Sequence, residues 1–247
     1  MLNLEIQPPL CYNLSMSVFT SLGILILAVL ISSFLMLIPG IFANFFHHAS
    51  GKYTRTKADS LSLFFILGTE TMVVLGLFLI ATIIWALPPS TVNLENPILV
   101  WILAGIFFGL SLTAFFVYFR KNGQLFISRK TAATLIDRPK SIKNSSDAFV
   151  FGLMSGIPEL PFTLPLYFVS ILAISNVSLS PFPCAGLIIF YAILAVCPLF
   201  ATHLYFRTGH NLADFLRHRL KNQTFFRIFL GLLYFILATL LIGGLIL

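Results

Sequence analysis

The sequence predicts an all-α polytopic membrane protein with six transmembrane helices. Of its 247 residues, 58% are hydrophobic and only 9% are charged, whereas ordinary soluble domains carry about 25% charged residues. The apolar residues form six long runs, each sufficient to cross a hydrocarbon layer of about 30 Å as a helix, rather than the alternating ten-residue segments typical of β-barrels. All fifteen Lys and Arg residues lie at or beyond the ends of these runs. The whole chain is therefore expected to be one membrane domain.

The first half of this domain, residues 17–119, holds three predicted helices. Helix 1 is expected to break at Pro39 and Gly40, because proline lacks the N–H that would bond the Leu35 carbonyl. Helix 3 carries Gly105 and Gly109, a small-residue spacing that favours close helix packing. The predicted ranges are Val18–Phe46, Ser60–Leu87 and Ile98–Phe119.

The longest polar segment, residues 120–147, separates the two halves and carries seven basic residues. Ser128 is placed to cap a short helix over RKTAATLID, whose Ala132, Leu135 and Ile136 form an apolar face. A basic amphipathic segment of this kind is expected to lie on the cytoplasmic membrane surface.

The second half, residues 148–247, repeats the pattern of three helices. A break is expected at Pro198 in helix 5, again because one amide donor is missing. Between helices 5 and 6, the basic amphipathic segment Arg207–Gln223 is expected to lie along the membrane interface. The predicted helices are Ala148–Ser175, Cys184–Phe206 and Thr224–Leu247.

Helix 4 is the least regular of the six. Three prolines follow Gly156 within nine residues, and each leaves a backbone carbonyl without its helical donor. Irregular backbone is tolerated inside a membrane only where it is buried in protein or faces a wet cavity. Helices 1 and 4 are thus predicted to be broken helices, with further interruptions in helix 5; the break positions are Pro39, Gly40, Gly156, Pro158, Pro161, Pro165 and Pro198.

Two carboxylates are expected near the bilayer midplane. Glu159 and Glu70 lie eleven and ten residues from the starts of their helices, which corresponds to about 15–17 Å of depth. A charge at that depth is costly, so such residues usually face an interior and serve a function. Polar residues accompany both carboxylates and complete the predicted ion path: Ser155, Thr163 and Tyr167 at four-residue spacing around Glu159, and Thr69 beside Glu70.

Other roles for these carboxylates stay open. Each could be a neutral acid that bonds to a neighbouring helix. Alternatively, Glu159 could favour the N-terminus of the restarted helix through the helix dipole.

The distribution of basic residues predicts the orientation. The first, third and fifth loops carry three, seven and five Lys and Arg, and the termini and the other loops carry none. Under the positive-inside rule, the basic loops lie in the cytoplasm and both termini outside a cytoplasmic membrane. The net charge of +7 then reflects attraction to anionic headgroups of the lipid bilayer, and no nucleic-acid partner is expected.

The sequence offers no set of residues for catalysis, cofactors or metals. Cys11, Cys184 and Cys197 form no paired motif and are expected to be small buried hydrophobes. There is no phosphate-binding glycine loop, zinc-type cluster or nucleophile elbow. No enzymatic activity is therefore expected. His203, four residues before Arg207, is expected to extend towards the interface, with an inner vestibule as the alternative.

The segment Leu35–Glu70, LMLIPGIFANFFHHASGKYTRTKADSLSLFFILGTE, resembles the first repeat of the lysine exporter superfamily, with a Pro-Gly late in helix 1 and a basic loop. The resemblance implies six helices in two inverted three-helix halves and a central site between helices 1 and 4. It implies that Pro39, Gly40, Gly156 and Pro158 are helix breaks near a substrate path.

The chain departs from this superfamily in two ways. The start of helix 4 is similar to that of the thiol-reductant transmembrane family, but helices 1 and 4 lack the cysteines which thiol transfer requires. IPELPFTLP also replaces the Asn-Pro motif of amino-acid exporters. The resemblance therefore predicts a fold more than a substrate.

The leading functional prediction is a secondary transporter or exporter of a small solute or cation, proton-coupled through Glu159 and Glu70. The alternative is a membrane scaffold or assembly factor whose basic loops dock a partner. A polar, water-reachable midplane cavity would favour the first, and a dry core with Glu159 bonded to a neighbour the second. The substrate, the direction of transport, the coupling ion and any homo-oligomer stay open.

Overall fold

The computed structural model describes residues 11–35, 37–88, 93–116, 135, 137–177 and 181–246, and these residues contain helices and no strand. Two short 3-10 turns, Arg138–Ser141 and Ile157–Glu159, flank the fifth α-helix. The α-helices are α1 (Cys11–Phe34), α2 (Leu37–Lys52), α3 (Arg55–Ala86), α4 (Pro97–Phe116), α5 (Ser145–Ser155), α6 (Leu160–Asn176), α7 (Pro181–Arg207), α8 (Leu212–Lys221) and α9 (Gln223–Ile246).

Six segments of the described chain are long and apolar enough to span a membrane, as predicted. The first span combines α1 with α2, and the fourth combines α5 with α6. The other spans are single helices. The six spans are Val18–Lys52, Arg55–Ala86, Pro97–Phe116, Ser145–Asn176, Pro183–Arg207 and Thr224–Leu245.

The interruption of the first span lies before the predicted position. The helix ends at Phe34 and resumes at Leu37, so Pro39 and Gly40 belong to the first turn of α2 rather than to the break. Proline is tolerated in a first turn because the amide that it lacks has no helical partner there.

The interruption of the fourth span is the 3-10 turn Ile157–Glu159, which begins after Gly156 and contains Pro158. Pro161 lies in the first turn of α6. The predicted breaks at Pro165 and Pro198 are wrong, because Pro165 lies inside α6 and Pro198 inside the continuous helix α7.

The two most extensive helix pairs are α4 with α9 and α3 with α5. In the second pair the backbones meet at two glycines. A Cβ atom at Gly68 would overlap the Phe149 carbonyl, and one at Gly152 would overlap the Phe65 carbonyl. This crossing depends on the absence of side chains at both positions.

The glycines that were predicted to mediate packing do not do so among the described residues. Gly105 and Gly109 are exposed, and a Cβ atom at either would meet nothing within 4 Å. Helix α4 instead contacts α9 through Ser111, whose hydroxyl donates to the Gly231 carbonyl at 2.8 Å. The four-residue spacing alone could not show which face of α4 is buried.

Basic residues gather at one end of the bundle, called the basic end, where α2 and α7 finish and α3 and α5 begin. Arg55 donates to the Arg207 carbonyl at 2.6 Å, and Lys52 donates to the Lys140 carbonyl at 3.4 Å. At the opposite end, the Trp85 indole donates to Ser175 at 3.2 Å. The predicted helix capped by Ser128 falls almost entirely outside the described residues.

We predict that Gly152→Ala destabilises the fold by about 1–3 kcal/mol, the usual cost of overpacking, because α3 and α5 must separate. Thermal unfolding in detergent would measure the effect. Gly105→Ala is the matched control and should cost nothing, since its Cβ atom meets open space. Equal melting temperatures for the two variants would contradict the assigned crossing.

Candidate functional site

A cavity lies where the interruptions of the first and fourth spans meet. It has about 40 Å³ of room for the centres of water-sized spheres, more than the roughly 10–15 Å³ that one water requires. Its walls come from α1, α2, α3, α6 and α7 and from the fourth-span interruption. They comprise Ser32, Ser33, Leu35, Ile38, Pro39, Thr69, Met72, Val73, Gly156, Glu159, Thr163, Tyr167, Ala195, Val196, Pro198 and Leu199.

Glu159 is the acidic residue in this wall, and its side chain is only 3% exposed. Its Oε1 accepts a hydrogen bond from the Ile38 backbone amide at 3.1 Å. Ile38 is the second residue of α2, and amides in a first helical turn have no partner within their own helix. A carboxylate of the fourth span therefore caps a helix of the first span, where the helix dipole also favours negative charge.

Three members of the predicted polar stripe line the cavity, and the fourth does not. Glu159, Thr163 and Tyr167 form part of its wall, and the Thr163 hydroxyl donates to the Glu159 carbonyl at 3.2 Å. Ser155 is buried but donates to the Gly152 carbonyl at 2.6 Å. Its hydroxyl thus satisfies the end of α5 instead of facing the path.

Thr69 joins the cavity from α3, as predicted. Its hydroxyl lies 3.1 Å from the Phe65 carbonyl and 3.2 Å from the Gly152 carbonyl. The Gly156 amide bonds to Met154 and not to Gly152. The hydroxyls of Thr69 and Ser155 therefore lie within hydrogen-bond distance of the Gly152 carbonyl, which lacks the Gly156 amide as its helical donor.

Glu70 is not among the residues that line the cavity, although it was predicted to share the path with Glu159. Successive helical residues point about 100° apart, so a helix that directs Thr69 inwards turns Glu70 aside. Glu70 is half-buried on the adjoining face of α3. The depth estimate from the sequence carried no information about this rotation.

Sequence reasoning missed the two serines of α1. The Ser33 hydroxyl lies 3.0 Å from the Leu194 carbonyl, which Pro198 deprives of its helical donor, and 2.9 Å from the Val29 carbonyl of its own helix. A hydroxyl from α1 is thus placed to share its proton with the freed carbonyl, and α7 continues without a break. Ser32 lies 2.6 Å from the Tyr191 hydroxyl. Two adjacent hydroxyls at the end of the apolar run LGILILAVLI were the available signal.

An aromatic layer separates the cavity from the basic end. Each of its members lies one or two helical turns nearer to the basic end than a cavity residue of the same span. Ring centroids in the layer lie 5.2–6.5 Å apart, within the usual range for aromatic pairs. The aromatic layer consists of Phe42, Phe45, Phe65 and Phe151, all almost fully buried.

His203 borders this layer, and the prediction that it extends to the interface is wrong. It is 5% exposed, with its ring edge-on to Phe42 and Phe46 at 6.4 and 5.8 Å. The two phenyl rings hold the imidazole inside the bundle. Its Nδ1 has no hydrogen-bond partner among the described residues.

The cysteines differ from each other in their surroundings. Cys184 is buried, as predicted, but Cys197 is exposed on the outer face of α7. Among the described residues, no group of three or more His, Cys, Asp or Glu is placed to hold a metal ion.

Comparison of the chain with protein-family models, curated proteins and solved structures finds no match. The resemblance to the lysine exporter superfamily stays a prediction from the residues of the first span and its loop.

We predict that Ser33→Ala lowers the free energy of unfolding by about 0.5–1.5 kcal/mol, because it removes the hydroxyl within reach of the part-buried Leu194 carbonyl. In a Pro198→Ala background, residue 198 regains an amide that can bond Leu194, so the same change should cost less. Unfolding titrations of the four proteins would give the coupling, expected at about 0.5–2 kcal/mol.

Thr71→Ala is the control for this cycle, because the Thr71 hydroxyl bonds the Leu67 carbonyl within α3. It should show no coupling to Pro198→Ala. If Ser33 and position 198 also behave additively, Ser33 does not replace the missing amide.

Proposed function

We propose that this protein is a secondary transporter or exporter of a small solute or cation, with Glu159 as the group that binds the coupling proton or the cation. The observation that carries the proposal is the burial of this carboxylate in a cavity between two helix interruptions. Intramembrane carboxylates are costly and usually mark ion or substrate paths, and broken helices supply such sites in transporters.

The hydrogen bond to Ile38 gives a physical basis for coupling. As a carboxylate, Glu159 accepts the Ile38 amide and stabilises the N-terminus of α2, an effect worth about 0.3–2 kcal/mol. Protonation or cation binding removes most of this negative charge and weakens the cap. A ligand shifts a conformational equilibrium by its differential affinity for the two states, so occupancy of Glu159 would favour a state in which α2 is released.

We further infer that the two halves are inverted repeats. The first and fourth spans are both interrupted, and each forms the start of a half. The packing supports the correspondence, since α1 contacts α6, α3 contacts α7, and α4 contacts α9. Such pairing of equivalent elements is expected for repeats that meet at a central site.

The small cavity corresponds to a closed arrangement in this proposal. Pro39 and Gly156 line it, and Gly40 and Pro158 lie beside them in the chain. These are the positions that the resemblance to the lysine exporters implies for a substrate path. The aromatic layer closes the cavity from the basic end.

A scaffold or assembly factor is the second candidate, and the bond between Glu159 and Ile38 is the observation that favours it. On this alternative the carboxylate only secures α2, and the exposed basic residues dock a partner. Neither candidate involves catalysis or a cofactor, and we propose that the protein is not an enzyme.

We propose that the basic end faces the cytoplasm and that both termini lie outside. All fifteen Lys and Arg residues belong to the first, third and fifth loops, which the positive-inside rule places in the cytoplasm. In a cysteine-free background, Asn93→Cys should react with an impermeant maleimide in intact cells. Ser141→Cys should react only after permeabilisation. External labelling of residue 141 would reverse the orientation.

Glu159→Gln is expected to abolish solute-driven proton movement in proteoliposomes, since the amide retains the shape of the side chain but cannot titrate. Candidate solutes would be screened with the parent protein, and the active one used to compare variants. Glu70→Gln is the matched control and should reduce the flux only partly, because Glu70 lies outside the cavity wall. If Glu159→Gln transports at the parental rate at every pH, Glu159 has only the structural role of capping α2.

A further inference from the structure

A second pocket lies at the basic end, and the proposed transport path does not use it. Its room for the centres of water-sized spheres is about 360 Å³. It lies between the last turns of α2 and α7 and the first turns of α3 and α8. We call it the arginine pocket. Its walls are Phe46, His47, Ser50, Arg55, Ala58, Phe206, Arg207, Gly209, His210, Asn211 and Leu212.

Two guanidinium groups are brought together here with little negative charge to offset them. Arg55 is exposed and donates from Nη2 to the backbone carbonyl of Arg207. The Nε of Arg207 lies 3.9 Å from Asp59 Oδ2, beyond hydrogen-bond distance, and the Arg207 side chain is 59% exposed. Each guanidinium has five N–H donors. Most of these donors therefore have no carboxylate within hydrogen-bond distance among the described residues.

Two further polar side chains of the arginine pocket suit an anion. His47 and His210 lie in its wall, and the His210 ring is held by stacking on Tyr205 at 4.2 Å. Ser50 also lines the pocket, but its hydroxyl donates to the His47 carbonyl at 3.1 Å. Among the described residues that line the pocket, none is acidic. Arginine forks match the planar oxygen pairs of phosphate groups.

The floor of the pocket is apolar. An apolar floor favours a phosphate that belongs to a lipid over a soluble phosphate ion. Phe46 and Phe206 stack at 5.3 Å, and Ala58 and Leu212 complete this surface. Leu63 of α3 and Leu204 of α7 are 44% and 57% exposed, and they lie about two turns beyond Arg55 and one turn before Arg207, away from the basic end. A phosphate held by the arginines would thus lie at headgroup level, with hydrocarbon surface next to it.

We propose that the arginine pocket binds the phosphate of an anionic phospholipid from the leaflet at the basic end. This is a localised site, in contrast to the diffuse attraction of basic loops to a charged surface. It is independent of the proposed transport function, since it uses neither Glu159 nor the central cavity.

The test uses the full chain in nanodiscs of phosphatidylcholine with or without phosphatidylglycerol, and native mass spectrometry of the detergent-released protein to count retained lipid. Arg55→Gln should weaken phosphatidylglycerol retention about tenfold, the value of one charge-assisted contact. Lys57→Gln removes the same charge two residues away and should retain the parental level. Lys57 lies over the Tyr53 ring and outside the pocket.

Three outcomes would overturn the proposal. Equal loss in Arg55→Gln and Lys57→Gln would show diffuse attraction only. Loss of the retained phosphatidylglycerol when inorganic phosphate is added to the nanodiscs before release would show a site for soluble anions. Full retention in both Arg55→Gln and a separate Arg207→Gln variant would place the lipid elsewhere. Among the described residues Arg55 bonds a backbone carbonyl, and circular dichroism of Arg55→Gln would verify that it folds before lipid is counted.

Discussion

The structure depends on one constraint, which is that backbone groups freed inside a membrane must find partners within the protein. The chain interrupts two spans and places Pro198 inside a third, and at each of these three places a side chain from another helix bonds the backbone. Glu159 accepts the Ile38 amide, the Ser33 hydroxyl lies within hydrogen-bond distance of the Leu194 carbonyl, and the Thr69 hydroxyl lies within that distance of the Gly152 carbonyl. These three polar side chains therefore satisfy backbone groups that a regular helix would pair internally.

These repairs also determine how the helices are arranged. A hydroxyl or carboxylate that serves a distant backbone group fixes the rotation of its own helix, because only one face can present it. The approach of α3 to α5 at Gly68 and Gly152 places Thr69 within reach of the fourth span. Close packing at glycines and repair of the broken helix are thus parts of one interface.

Much of the fold could be predicted from the sequence, because hydropathy and length report directly on spanning segments. The six spans, the irregular fourth span and the buried Glu159 follow from that signal and from proline chemistry. Rotation and partnership could not be predicted, since a linear pattern does not show which helix faces which. Glu70 and Thr69 are neighbours in the chain, yet only Thr69 lines the cavity. The sequence likewise predicts a break at Pro198, because it does not show that the Ser33 hydroxyl lies beside the carbonyl that Pro198 leaves without a donor.

In the proposed transport cycle, helix α2 links Glu159 to the closure of the cavity. Ile38, at its start, holds the carboxylate, and Phe42 and Phe45, one and two turns further on, belong to the aromatic layer. Movement of α2 after Glu159 is neutralised would displace both rings from Phe65, which they now contact at 5.3 and 5.2 Å. Neutralising Glu159 would in this way open the route towards the basic end, because the capped N-terminus and the two rings that close the cavity belong to the same helix, α2.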